Sequence, residues 1–425
     1  MNLKDTNPRV KTVFSLSTLA LILTAAALYA GPLNPPVGPV ASTHKTLTEV
    51  EPRIAINATN TPGDADSLFK IGAPGSYYLT GNIQGVSGKH GIEIAGGGVS
   101  LDLNGFDMVG APGSLDGIRL TLSGQTNLTV RNGSLRLWRG CGIDLSASAG
   151  NVSIHDINAD SNTLDGIRVS DGASVVRCTA SYNGAGGLRM SNGGQAEGCI
   201  ASWNGTEGIR TGDGCTVSNC SAFQNASDGL RVEIGCTVSN CSASNNTGNG
   251  INTAYGCTVS NCAAFGNANN GILCFGFFGN GGCTVAHCTV YSNTGSGIDV
   301  NFGSTVNDCT VRHNILDGIR CGSQCTIRGN TCTNNYTGGT NAGIHAIGND
   351  NRIEGNSCTG AARGIDVDLA GNIIIRNTCS GNTTNWDVVA GNVCLVVQGV
   401  TGAAILGNTG GVAPGSTDPN ANFSY

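Results

Sequence analysis

The seven residues Gly-Cys-Thr-Val-Ser-Asn-Cys occupy positions 214–220, 235–241 and 256–262, and return as Gly-Cys-Thr-Val-Ala-His-Cys at 282–288. They belong to a longer period. Aligned on its Gly-Ile and Gly-Leu pairs, the chain places glycines at 117, 142, 166, 187, 208, 229, 250, 271, 297, 318, 343 and 364, most of them 21 residues apart. Self-similarity at a fixed short period marks a solenoid, in which each unit buries its apolar face only against its neighbours. Helical repeats need about 33 residues or more per unit. The units here are rich in Gly, Asn, Ser, Thr and Val, so each reads as short strands separated by turns.

Alternation then decides which side chains point inward. In Gly-Ile-Arg-Val and Gly-Ile-Asp-Val, the Ile and Val share one face and the charged residue takes the other, the period of two of a strand. In Cys-Thr-Val the Cys and Val share the inward face in the same way. Three such strands per coil of ~21 residues predict an all-β solenoid, a parallel β-helix of about thirteen coils, with each strand pairing to its equivalent one coil on at about 4.8 Å.

In this register Cys178, Cys199, Cys220, Cys241, Cys262, Cys288 and Cys309 hold one column, continued by Asn330, Asn356 and Asn377. Cys215, Cys236, Cys257, Cys283 and Cys325 hold a second, interrupted at Ser304. Positions that take Cys, Asn and Ser by turns ask for a small side chain in a stack, which buried free thiols supply. Two other readings stand beside this one. A few disulfides would suit an exported chain with bridgeable Cα spacings; a row of metal thiolates is the other, although Cys-x2-Cys zinc pairs are absent. A separate ladder of Asn162, Asn183, Asn204, Asn225, Asn246, Asn267, Asn293, Asn314 and Asn335 marks a bend, where stacked amides satisfy one another and the turning backbone.

Lys4, Arg9 and Lys11 precede an uncharged run from Thr12 to Ala30 that ends in small residues, the pattern of a secretory signal cleaved after Ala27 or Ala30. An uncleaved anchor is the alternative, since the run nearly reaches membrane-spanning length. The expected organisation is a signal at 1–30, a Pro-rich linker and cap segment at 31–73, the β-helix at 74–395, and a C-terminal cap and tail at 396–425. Export to the medium, the cell surface or the periplasm follows, with no membrane contact beyond the signal segment. Charged residues are 12% of the chain, against roughly 25% in an average domain. With 22 Lys and Arg and a net charge of −6, nucleic acid is not an expected partner.

Two early segments, Pro74-Gly-Ser-Tyr-Tyr-Leu-Thr-Gly-Asn-Ile83 and Gly98-Val-Ser-Leu-Asp-Leu-Asn-Gly-Phe-Asp-Met-Val-Gly110, resemble the opening coils of right-handed parallel β-helix proteins of the pectate-lyase-like superfamily, as found in secreted bacterial proteins. The resemblance covers roughly residues 74 to 395 and implies a right-handed helix. It implies no single activity, because lyases, hydrolases, epimerases and non-catalytic adhesins share the fold. Polygalacturonases of this type carry Asn-Thr-Asp, Asp-Asp, His-Gly and Arg-Ile-Lys motifs; only His90-Gly91 stands here, in an early coil. The Asp-Pro-His of alginate epimerases is also missing. No catalytic set transfers.

Function on a solenoid sits on outward columns and at turns that break the period. The outward column after Gly-Ile reads Arg119, Asp144, Arg168, Arg189, Arg210, Arg231, Asn252, Leu273, Asp299, Arg320, His345, Asp366 and Asp387. Four arginines on successive coils, Arg168, Arg189, Arg210 and Arg231, would repel unless something offset them. Asp165, Glu207 and Asp228, three residues before Arg168, Arg210 and Arg231, can pair with them locally; the other reading is a guanidinium strip that binds carboxylates of an acidic polysaccharide. Further along, Asp299, Arg320, His345 and Asp366 would supply general acid, general base and charge stabilisation to one bound chain. The plainer reading is a solvated mixed-charge face. Asp366 and Asp368 share a side and would hold a hard cation such as calcium if a third oxygen donor approached.

The period swells to 26 between Gly271 and Gly297 and to 25 between Gly318 and Gly343. The longer turns put Phe275, Phe277, Phe278 and Tyr336 beside the column, as aromatic walls for sugar rings or as a cluster folded onto the helix wall. The expected function is recognition of an acidic extracellular polysaccharide, with lyase or hydrolase cleavage if the column is catalytic. The rival is a non-catalytic structural or adhesive surface protein in which stacking is itself the function.

Overall fold

The computed structural model describes residues 51–275, 281–336, 338–398, 404–407 and 418–425. The signal and most of the linker therefore lie outside the described residues. Within them every regular element is a strand, most of two to five residues, and none is a helix. Arg53–Tyr425 packs as one unit.

One sheet stacks sixteen parallel strands in chain order, from Ser67–Ile71 through Ile118–Leu120 and Ile209–Arg210 to Ala404–Gly407. This is the first column. The other two columns count together as a thirty-stranded sheet, because Thr126–Arg136 and Gly150–Asp160 run unbroken through the corner between them. The solenoid thus has sixteen turns where the spacing of Gly-Ile pairs predicts about thirteen. Twelve strands stand at the glycines from Gly117 to Gly364 on which that spacing rests, and Ser67–Ile71, His90–Ile94, Thr384–Val388 and Ala404–Gly407 lie beyond them.

Equivalent residues pair directly from coil to coil: Leu188 with Ile209, Ile209 with Leu230, Leu230 with Ile251, and Ile251 with Ile272. These side chains are almost wholly buried. Burying one such side chain is worth about 1.5–3 kcal/mol, and repetition makes a continuous core from units too small to form one alone. The glycine before each Ile serves close approach. A Cβ at Gly208 would stand 2.7 Å from Asn225 Nδ2 and 2.7 Å from the carbonyl oxygen of Gly229.

All 19 cysteines are free and buried. In the longer column a sulfur receives a backbone donor from the coil before: the N–H groups of Cys199, Cys220 and Cys241 reach the sulfurs of Cys220, Cys241 and Cys262 at 3.4, 3.5 and 3.4 Å. Cys309 N–H finds Asn330 Oδ1 in the same place, and Cys283 N–H finds Ser304 Oγ in the second column. The columns are packing ladders whose members share one acceptor task.

Candidate functional site

Strand register confirms the outward column residue by residue. Arg119 pairs with Asp144, Asp144 with Arg168, and so through Arg189, Arg210, Arg231, Asn252, Leu273, Asp299, Arg320 and His345 to Asp366 and Asp387. Lys70 and Glu93 extend it upstream.

Local pairing within the arginine run is only partly as the spacing suggests. Glu207 lies 3.7 Å from Arg210 and 3.8 Å from Arg231, and Glu233 lies 3.9 and 3.6 Å from the same two groups. Asp228 does not pair with Arg231. Its Oδ1 accepts the Asn249 N–H at 2.7 Å, and its Oδ2 accepts Asn252 Nδ2 at 2.8 Å. Asp165 likewise accepts the N–H of Gly186 at 2.9 Å, and burial pushes its pKa up. These turn acids point along the helix axis to the next coil, where a buried backbone donor needs a partner, so they are not free to lie across the strand. Among the described residues no carboxylate stands within 4.0 Å of Arg168 or Arg189. The carboxylate contacts of Arg210 and Arg231, at 3.6 Å and beyond, are too long for hydrogen bonds, and none of the four guanidinium groups donates one among the described residues.

Hollows border this run on both sides. One of about 400 Å³ touches Asp165, Arg189, Glu207 and Arg210, and another of about 270 Å³ touches Asp171, Arg189, Arg210 and Glu233. Next along, Arg231, Tyr255, Leu273 and Phe275 wall a larger, mostly apolar hollow of about 550 Å³. Phe275 also borders a hollow of about 450 Å³ that reaches Asp299 and Arg320. Tyr336 is exposed on the turn that leads into Ala342–Ala346. Phe277 and Phe278 lie outside the described residues.

The later part of the column is tightly paired. Arg320 Nη1 donates to both oxygens of Asp299 at 3.3 Å. Burial raises the Asp299 pKa, with Arg320 opposing. His345 Nδ1 lies 3.1 Å from Asp317 Oδ2, and its Nε2 faces Asp368 at 3.2 Å and Asp366 at 3.7 Å. Burial disfavours the imidazolium, but the Asp317 hydrogen bond and the charges of Asp317, Asp366 and Asp368 outweigh it and raise the pKa to about 9. Buried Asp366 is held by Arg363, which also reaches Asp387 at 3.2 Å.

The nitrogen of His345 and the carboxylates of Asp366 and Asp368 come within 4.8 Å of one another, a set that could ligate a metal. Binding a cation there requires a neutral ring, whereas three carboxylates favour the protonated one and Arg363 already neutralises Asp366. The sequence reading lacked Asp317, Arg363 and Glu233. Asp317 had a visible signal, because it sits immediately before a Gly-Ile pair as Asp165 and Glu207 do, and as Asp228 does before Gly229-Leu230.

The family model for the right-handed β-helix region matches residues 141–278 and 196–335. A search of the curated proteins returns no match. Among solved structures, the A-module of mannuronan C-5 epimerase AlgE4 from Azotobacter vinelandii is similar at 17% identity and a TM-score of 0.47, over 73% of this chain and 88% of that one. The AlgE6 A-module from the same organism gives 15%, 0.49, 72% and 90%. Pectate lyase Pel9A gives 15%, 0.29, 79% and 74%. These are likenesses of fold, and no residue role is taken from them. Among the described residues no helix is long and apolar enough to cross a membrane.

Proposed function

We propose that this right-handed parallel β-helix binds a chain of acidic sugars along its first column, with Arg168, Arg189, Arg210 and Arg231 as the carboxylate contacts. One observation carries the reading: on four successive coils, and among the described residues, Arg168 and Arg189 have no carboxylate within 4.0 Å, while Arg210 and Arg231 have only loose ones at 3.6–3.9 Å. Guanidinium matches carboxylate with two parallel hydrogen bonds, the strongest polar contact a surface of this kind can make. A polymer bearing repeated carboxylates engages several arginines at once, so individually weak exposed contacts reinforce one another. The apolar hollow between Arg231 and Phe275 offers a seat for a sugar ring at the end of the run.

Isothermal titration of the protein with a panel of uronate polymers, with and without calcium, tests this. The Arg168→Ala, Arg189→Ala double variant should bind at least tenfold more weakly, while Arg320→Ala, whose guanidinium is already engaged by Asp299, should bind normally. No affinity for any uronate polymer refutes the reading and favours a structural or adhesive role.

A second reading has one observation in its favour, the hollow that brings Phe275 together with Asp299 and Arg320 one coil before the charged His345. There His345 would donate a proton, Asp299 would accept one, Arg320 would stabilise developing charge, and Asp366 would hold His345 in place. Release of unsaturated or reducing ends from a uronate polymer, abolished by His345→Gln, would support turnover.

A further inference from the structure

We infer that a second carboxylate site, separate from the arginine run, lies on the stacked turns that lead into the first column, in a hollow of about 300 Å³ bordered by His90, Ser114 and Arg139. Three independent features meet there. Ser114 is fully buried, yet its hydroxyl has no hydrogen-bond partner. Its oxygen is closed from solvent, so it reaches a ligand in the hollow only by turning about χ1, and a buried hydroxyl, normally paired, would find its acceptor there. Arg139 is exposed and makes no ion pair or side-chain hydrogen bond among the described residues. Among the described residues His90 is engaged through Nδ1, which lies 3.1 Å from the Asp116 N–H and 3.3 Å from its Oδ2, and Nε2 has no hydrogen-bond partner.

The charge around the hollow selects an anion. Its one acid, Asp116, is spent on the protein: Oδ1 accepts the Cys141 N–H at 2.6 Å, and Oδ2 faces His90 and, at 3.6 Å, Arg119. Donors from Ser114 and Arg139 need acceptor oxygens, and a carboxylate supplies two. At the lower end of ligand-cavity sizes, the hollow suits a single sugar acid better than a stretch of polymer. The pair His90-Gly91 thereby divides into two roles. Gly91 is required by packing, since a Cβ there would stand 2.5 Å from the Gly117 carbonyl oxygen. His90 both accepts the Asp116 N–H and borders the hollow.

The ligand chemistry has two sources, a free sugar acid or the terminal uronate of a chain. Glucuronate and galacturonate, with glucose as the neutral control, are titrated into the full chain by NMR. The expected result is saturable binding of the acids and not of glucose, weakened at least tenfold in Arg139→Ala and at least threefold in Ser114→Ala. The Ser114 variant removes only an unpaired oxygen and should fold normally. Short oligouronates that displace the monomer identify a chain end as the source; failure to displace it identifies the free acid. Chemical-shift changes on the signals of Ser114 and Arg139 locate the monomer here, so this site stands or falls apart from the arginine run. Absence of saturable binding, equal binding of glucose, or an unchanged affinity in Arg139→Ala would overturn the assignment.

Discussion

Asn225 accepts two hydrogen bonds from Asn204 through a single oxygen: the backbone N–H of Asn204 lies 3.1 Å from Asn225 Oδ1, and its Nδ2 lies 3.0 Å away. Asn225 hands the pattern on, donating from Nδ2 to the Ala201 carbonyl at 3.1 Å and to Asn246 Oδ1 at 3.0 Å. No polar group of the amide is left over. The ladder is buried, so each link is worth the full cost of the partner it would leave unpaired.

Asn225→Ala should therefore destabilise by about 2–4 kcal/mol, because it strands two donors on Asn204 and takes a donor from the Ala201 carbonyl at once. Asn225→Asp should cost more, since the carboxylate cannot donate and is itself buried. Urea unfolding measures both. A loss below about 0.5 kcal/mol for the Ala variant would mean that the ladder is incidental.

Ile209→Asp places a charge in the first column's inward row, where Ile209 is wholly buried between Leu188 and Leu230. Nothing there can pair with it. The variant should fail to fold or should melt far lower, with loss of strand signal in circular dichroism.

Cys241→Ser should be mild, about 1 kcal/mol or less, because a hydroxyl can take over the sulfur's acceptor task as Ser304 does for Cys283. Titration of unfolded, unreduced protein should count 19 reactive thiols. Recovery of mostly bridged peptides by mass spectrometry would contradict the structure.

His345 should titrate near pH 9. Its folded pKa exceeds the unfolded value of about 6.5, so its contribution of about 3 kcal/mol is complete below pH 6.5 and disappears as pH rises through 9. Asp317, Asp366 and Asp368 face the ring and supply the effect, while Arg363 opposes it through Asp366. Wild type should lose more stability than His345→Gln between pH 7 and 10. An NMR midpoint near 6.5 would contradict the geometry.

Binding of a uronate polymer should weaken steeply with salt, because Arg189 is exposed, Arg168, Arg210 and Arg231 are only half-buried, and their field is screened within about 8 Å at physiological ionic strength. Titrations at increasing sodium chloride check this. Affinity independent of salt would move recognition to the apolar hollow beside Phe275.

The period of 21 residues was enough to establish the solenoid, the inward Ile row, the thiol and amide ladders, and the outward column in its true order. Each of these depends only on which residues recur at equal spacing, and parallel in-register pairing turns equal spacing directly into contact. Direction along the axis is not written in the spacing. Asp165 and Asp228 stand in the same place before their arginines as Glu207 does before Arg210, yet they turn to backbone donors of the next coil. That choice depends on side-chain length and on which buried donor lacks a partner, both settled only when the coils stack. The same stacking brought Asp317 and Asp368 onto His345, gave Arg320 to Asp299, and left Arg168, Arg189 and Arg139 without carboxylate partners among the described residues.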